Sequence, residues 1–528
     1  MNAPGALHEN VRDIVRRVAL ARPDAEACVL GDQRWSYAEL DRRIDALARA
    51  LVAAGVGHGD RVATLSTPHP DFLVAFLAAG QIGAIWVGLN PRYRPAELGY
   101  VLGDAEPKVL LVRTRIEARD YRGDFAALAA DCPSLVASVV LNGDPLFDGA
   151  LAYDAFIAGG AGVDDAALAA AQAKAGGRQA CMIVYTSGST GAPKGALLHH
   201  QGVCDFCRAQ DRLWPVSPQR VLNYFPINHI GSVIDITLPT LEAGGAVVFL
   251  EQFDPAIAMR LTADEGLTLW GSVPSVLQMQ LGLPDFADYD LSAVQLILWE
   301  GAAVPAEMLD RLLALGPPLA TNYGMTETTS AMIAVAPTRD RDILANTVGL
   351  PFDGVEIRLA KADGTDAADG EEGEVWARSG YNMLGYWRRP EATAEAITPD
   401  GWLRTGDTAI RRADGRYRIV GRIKEMYKSG GYNVYPREVE DVLEAHPAVS
   451  LAAVVPIKDP LWAEVGVAYV IAASDATVES LEAHCRERLA NYKIPKRFVL
   501  RRELPLLPIG KVDKIALKTL ARETFEAG

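Results

Sequence analysis

Tyr185-Thr186-Ser187-Gly188-Ser189-Thr190-Gly191-Ala192-Pro193-Lys194-Gly195 decides how the rest of the chain is read. These eleven residues hold three glycines, four Ser/Thr hydroxyls and one lysine, just after the apolar run Met182-Ile183-Val184. Glycines let a backbone turn with its N–H groups facing inward. Hydroxyls add donors, and the lysine adds a mobile positive charge. A polyphosphate needs that combination from a loop. The spacing is not that of the P-loop, G-x-x-x-x-G-K-[ST]: Pro193 stands where that pattern has its second glycine, and Gly195 follows the lysine. A P-loop NTPase is therefore disfavoured, and a plain surface turn is the competing reading.

On both sides of this loop, helical and strand patterns alternate. Ser36 with Glu39 reads as a capping box. Leu40, Ile44, Leu47 and Leu51 follow at helical spacing, and Gly55 can end that helix. Residues 62–65, 109–112 and 246–250 read as strands, 72–89 as a buried helix followed by a strand, and 164–174 as helix-prone. This pattern predicts α/β layers with largely buried sheets. Near Arg422 it restarts. Asp414-Gly415 reads as a hairpin turn before it. After it, 436–443 and 478–489 read as helices, and 452–455 and 467–472 as strands. About a hundred residues remain there, enough for a small α+β domain.

Composition sets outer limits. The chain has 528 residues, too many for one core, with 49% hydrophobic and 23% charged residues. Its net charge of −15 leaves no overall basic footprint for nucleic acid. Six cysteines do not make a disulfide scaffold. Cys204-Asp205-Phe206-Cys207 has neither a second pair for zinc nor a thioredoxin-like context, so two reduced cysteines on a helix are expected. The segment 1–19 lacks the form of a signal peptide. Gly80, Gln81 and Gly83 interrupt the most apolar region, which falls short of the ~20 unbroken apolar residues of a membrane span. A cytoplasmic protein without an integral membrane segment is expected.

Five further stretches follow in order: Tyr323-Gly324-Met325-Thr326-Glu327, Thr405-Gly406-Asp407, Gly421-Arg422-Ile423-Lys424-Glu425, Ser429-Gly430-Gly431-Tyr432-Asn433 and Pro508-Ile509-Gly510-Lys511-Val512. With the opening loop they resemble, in sequence and in order, the motifs of the adenylate-forming superfamily. That superfamily includes acyl-CoA synthetases, the adenylation domains of peptide synthetases and firefly luciferase. The resemblance runs from Trp35 to Lys518 and is to the acid:CoA ligase branch. It implies an α/β fold: a large N-terminal domain of layered β-sheets and helices, residues 1–421, and a small mobile α+β C-terminal domain, residues 422–528, with the active site between them.

The resemblance further implies a reaction in two halves, with ATP, Mg²⁺ and coenzyme A. A carboxylate attacks the α-phosphorus of ATP and pyrophosphate leaves; a thiol then attacks the acyl carbon and AMP leaves. By the family pattern Thr186, Ser187, Gly188, Ser189, Thr190 and Lys194 cradle the β- and γ-phosphates. Glu327 holds Mg²⁺, Asn322 and Tyr323 lie beside adenine, and Thr326 lies beside the α-phosphate. Asp407 and Arg422 reach the ribose. Lys511 is the catalytic lysine, bridging the substrate carboxylate and the α-phosphate. Lys424 is the hinge. Gly430 and Gly431 leave room for pantetheine, with Lys428 near AMP or the CoA channel. His229, in Pro226-Ile227-Asn228-His229-Ile230-Gly231, matches the aromatic gate beside the acyl pocket.

Two residues stand outside that pattern. Trp299-Glu300-Gly301 is bulkier than the usual family loop at that point, and Asp235 is a charge in an apolar segment. Asp235 either recognises a polar group on the substrate or caps a helix. The expected pocket stretches, 230–241 and 271–278, are mostly apolar, so a hydrophobic acid is expected: medium-chain, aromatic or alicyclic. A stand-alone ligase loading a carrier protein and a non-catalytic nucleotide-binding regulator are the alternatives. A peptide-synthetase-like activity on an amino acid rests on Asp235 alone. A homodimer is left open.

Overall fold

The computed structural model describes residues 9–141, 143–186, 193–430, 432–473, 476–507 and 511–525. In one sheet, strands Arg61–Leu65, Ile85–Leu89, Val109–Val112 and Ala137–Val140 run parallel, Ala180–Thr186 continues them, and Lys194–His199 adds an antiparallel edge. In a second sheet, Ala246–Phe249, Arg220–Asn223, Leu269–Ser272, Leu296–Trp299 and Leu319–Gly324 run parallel through the centre. Strands covered on both faces read as continuous apolar runs, as 109–112 and 246–249 do.

Helix Pro70–Gln81 lies between these sheets, and every one of its residues is buried. Phe72 shows why. Its ring meets Trp86 of the first sheet at 6.2 Å and Phe249 of the second at 6.1 Å. A helix apolar on all sides belongs in such an interior layer rather than on a surface.

From Val355 the chain builds an antiparallel sheet of Val355–Ala360, Glu372–Ser379, Leu403–Arg411 and Tyr417–Arg422. The Asp414-Gly415 turn joins its last two strands, with Gly415 at φ +82. The C-terminal unit is centred on the hairpin Val449–Asp459 and Ala463–Ala472, with Arg497–Arg501 parallel to the latter. Side-chain alternation along these strands makes two cores. Val454, Ala468 and Val470 pack with Leu443 and Leu481 of helices Pro436–Glu444 and Val478–Arg488. Val455, Val467 and Tyr469 pack with Leu517 and Ala521 of helix Lys514–Phe525.

One local expectation is half met. Ser36 accepts the Glu39 N–H and caps helix Tyr37–Ala53. The Glu39 carboxylate, however, turns forward to Arg42 and Arg43 at 2.8 and 2.7 Å, because two guanidiniums outcompete a backbone N–H for it. Cys204 and Cys207 are buried, free thiols in helix His200–Leu213. Among the described residues no helix is long and apolar enough to cross a membrane.

Candidate active site

The chain on either side of the phosphate loop forms a pair of antiparallel strands. Ala180–Thr186 and Lys194–His199 pair antiparallel up to Thr186 opposite Lys194, where the Thr186 hydroxyl donates to the Lys194 carbonyl at 3.4 Å. Ser187, Gly188, Ser189 and Thr190 lie outside the described residues. Lys194 Nζ stands 5.3 Å from the centre of the Tyr386 ring, and the Tyr386 hydroxyl donates to Glu327 Oε1 at 2.8 Å. Tyr386 reaches this place because its segment runs along this strand pair: Trp387 N–H donates to Gly195 O at 2.7 Å. Glu327 sits in the short turn Thr326–Thr328, with Thr326 and Glu327 both buried. Among the described residues no group of three or more His, Cys, Asp or Glu could hold a metal. Mg²⁺ takes one or two protein carboxylates and completes its shell with water and substrate phosphates. Glu327 alone therefore fits an ion that arrives with a nucleotide.

Strand pairing sets Asp407 opposite Arg422. Arg422 Nε donates to Asp407 Oδ1 at 2.8 Å, and the Tyr323 hydroxyl donates to Oδ2 at 2.7 Å. The carboxylate is buried and oriented, and each oxygen keeps lone-pair capacity for a further donor. The Asp407 charge holds the Arg422 pKa above its ordinary value. Tyr323 and Asn322 end the strand Leu319–Gly324. Its last residue must be small, because a Cβ on Gly324 would lie 2.1 Å from Ser330 O on the returning chain.

Lys511 comes to this place from the C-terminal unit. Leu507 N–H donates to Lys511 O at 2.7 Å, and Leu506 bridges to Val512, which fixes the exit of the turn. The lysine side chain lies over Gly301, whose φ is +84. A Cβ there would stand 2.8 Å from Lys511 Cε and 3.3 Å from Nζ. Lys511 remains exposed, although surrounding protein crowds its ammonium. This crowding and the charge of Arg422 lower its pKa, while Glu300, Asp407 and Asp235 oppose the shift. Lys514, three residues on, faces elsewhere and pairs with Glu425 and Glu440 at 2.8 Å each.

The acyl side is more polar than expected. His229 Nδ1 accepts the Gly231 N–H at 3.0 Å, which places the proton of the neutral ring on Nε2. Burial and the Lys511 charge push the ring's pKa down to about 4. Its loop packs tightly on the first sheet because Gly88 has no side chain; a Cβ there would lie 2.8 Å from Ile227 O. Asp235 is not a helix cap. It lies inside the π-helical segment Gly231–Thr237 and accepts a hydrogen bond from the Ser330 hydroxyl. Glu300 accepts from Asn322 Nδ2 at 3.4 Å. Burial raises the pKa of both carboxyls, and the charge of Glu300 raises that of Asp235 further. Both line an acyl-side cavity with Tyr224, Ile236, Ser272 and Leu298.

Two family profiles match the chain: AMP-binding enzyme over residues 15–387, and the AMP-binding enzyme C-terminal domain over residues 438–511. The chain belongs to the AMP-binding enzyme family. Feruloyl-CoA synthase of Amycolatopsis sp is 37% identical over 508 residues, covering 95% of this chain and 96% of its own. Indoleacetate–CoA ligase of Aromatoleum aromaticum is 33% identical over 524 residues, covering 97% and 98%. The crystal structure of an anthranilate CoA ligase in complex with anthranoyl-AMP superposes with a TM-score of 0.86 at 25% identity, covering 98% of each chain.

In this AMP-binding enzyme the contacts gather the expected residues in two sets: Thr186, Lys194 and Glu327, the last two meeting at Tyr386, and Tyr323, Asp407, Arg422 and Lys511, with His229 also within reach of the Lys511 charge. Lys428 and Gly430 stand apart from them. The Lys428 N–H donates to Glu464 and the Gly430 N–H to the Trp462 carbonyl, both within the C-terminal unit. Lys424 is exposed in the turn after Arg422. Gly431 lies outside the described residues. Tyr386 and Tyr224 escaped the sequence reading. Tyr386 meets Glu327, and Tyr224 meets the cavity, only through the fold, and no local pattern of the AMP-binding enzyme marks either.

Proposed function

We propose that this AMP-binding enzyme is an ATP-dependent carboxylic acid:CoA ligase that works through an acyl-adenylate and acts on a hydrophobic acid, aromatic or alicyclic rather than short. One observation carries the reading: Lys511, supplied by the C-terminal unit, lies over Gly301 within reach of the charges of Asp407 and Arg422 on one hand and of the cavity-lining Asp235 and Glu300 on the other. An ammonium there neutralises two anions as they meet, the acid's carboxylate and the α-phosphate. Fixed charge at a developing bond is the main resource for such a step.

Asp407 and Arg422 hold the ribose, Thr186 and Lys194 the leaving phosphates, and Glu327 the Mg²⁺ that travels with them. Bound there, Mg²⁺ supplies charge neutralisation on the phosphate oxygens. Asn322 and Tyr323 border adenine, and Thr326 borders the α-phosphate. We place the domain boundary at 421/422 with Lys424 as the hinge. Rotation about it withdraws Lys511 and brings Lys428, Gly430 and Gly431 to the CoA side for the second half-reaction. The three named relatives are ligases or a synthase of aromatic acids, which supports the substrate class. Six free, buried cysteines agree with a cytoplasmic setting.

A pyrophosphate-release panel tests this reading. Aromatic, alicyclic and medium-chain acids are compared with acetate and amino acids, each with and without CoA. Sustained turnover of a ring-bearing acid only with CoA is expected. Faster turnover of acetate or an amino acid would overturn the substrate class. Turnover that CoA does not sustain would point to a carrier protein as acceptor.

A further inference from the structure

Asp235 and Glu300 pose a physical problem for an enzyme whose substrate is itself a carboxylate. Each has one oxygen satisfied: Asp235 Oδ1 by the Ser330 hydroxyl and Glu300 Oε2 by the Asn322 amide. The other two, Asp235 Oδ2 and Glu300 Oε1, receive no hydrogen bond among the described residues. Both stand 3.8 Å from one point beside Gly231, the position a Cβ would take there. The point adjoins the gate, since His229 Nδ1 is 3.1 Å from it. The same cavity is lined by Ser272, which is 3% exposed. The buried hydroxyl of Tyr224, another lining residue, lies within reach of the Ser272 hydroxyl, and the two have no further partner among the described residues.

Polar groups turned into an apolar cavity without partners are costly unless a ligand satisfies them. Two carboxyls also repel an anionic acid unless that acid offers them a donor. We propose that Asp235 Oδ2 and Glu300 Oε1 receive a hydrogen-bond donor, a hydroxyl or an amino group, carried on the ring of the acid near its reacting carboxyl. The nearness follows from Lys511, whose charge acts on both carboxyls and which meets the substrate carboxylate. Mutual destabilisation keeps one of the two acids protonated more readily than an isolated carboxyl. The pair can then accept from the donor while carrying a single negative charge. This inference rests on the ligase reading and narrows its substrate class.

The test is a set of matched aromatic acids: unsubstituted, hydroxyl, amino and methoxy, each at every ring position, with kcat/KM read by pyrophosphate release. The hydroxyl and amino arms separate the two donors, and the methoxy arm accepts only. At one position a donor-bearing acid is expected to exceed its unsubstituted and methoxy counterparts by about tenfold or more. In Glu300→Gln and Asp235→Asn that ratio is expected to collapse to within about threefold. A merely structural loss would lower all the acids alike and leave the ratio intact. Equilibrium binding of the same acids reads the ratio if a variant loses turnover. No preference at any position, or a preference that survives both substitutions, overturns the proposal. Failure of every ring-bearing acid to release pyrophosphate would instead sink the ligase reading.

Discussion

His229 is a neutral wall. Its Nδ1 is occupied by the Gly231 N–H, and its pKa of about 4 lies below the ordinary histidine value. A lowered pKa means that the ring stays uncharged down to about pH 5 and protonates only near 4. Burial disfavours the charged form most, and the nearby Lys511 ammonium adds to that. His229→Phe is therefore expected to leave the shape of the pH profile of adenylation unchanged between about pH 5.5 and 7.5. An acid limb near 6.5 in the parent that vanishes in the variant would show a titrating, catalytic imidazole instead. Lys511 behaves in the opposite sense in function: it must be charged to act, and its pKa is lowered. Its alkaline limb belongs below the ordinary lysine value.

At the scale of elements, the loop Trp299-Glu300-Gly301 is where two bodies of the chain touch. Gly301 has both a left-handed φ and no room for a Cβ against Lys511. Gly301→Ala is expected to lower adenylation by roughly a hundredfold, because a displacement of about 1 Å at a reacting group costs that much. Thioester formation from a supplied acyl-adenylate should persist, since the proposed mechanism uses the lysine only in the first half. An equal loss in both halves would mean that the substitution damages the fold. Much of this element-level picture was legible in the sequence. Apolar runs marked the buried strands, Pro436 and the Asp414-Gly415 pair marked a helix start and a hairpin turn, and the ordered motifs marked the family. What stayed hidden depends on contacts between segments distant in the chain. Glu39 was assigned to its own N-cap, yet Arg42 and Arg43 claim it. Asp235 was read as a substrate contact or a cap, yet only the fold shows its free oxygen converging with that of Glu300. No spacing rule along one strand or helix connects Tyr386 to Glu327.

At the scale of the molecule, a large sheet-and-helix body carries the nucleotide and acyl residues, and a small unit brings one cation to them. The small unit has cores of its own on both faces of its sheet. It can move as a body without exposing them. Pairing of Lys514 with Glu425 and Glu440 ties helix Lys514–Phe525 to the segment after Arg422 and to helix Pro436–Glu444, so in the proposed rotation Lys511 would go with that unit. On the proposed mechanism one chemical half depends on the lysine and the other does not. Lys511→Ala tests this most directly, with ATP-dependent adenylate formation and thioester formation from a supplied acyl-adenylate measured on the same preparation. A loss of roughly 10²–10³-fold or more in the first, with the second spared, is the expected result. Equal loss in both, or no loss in adenylation, would contradict the account.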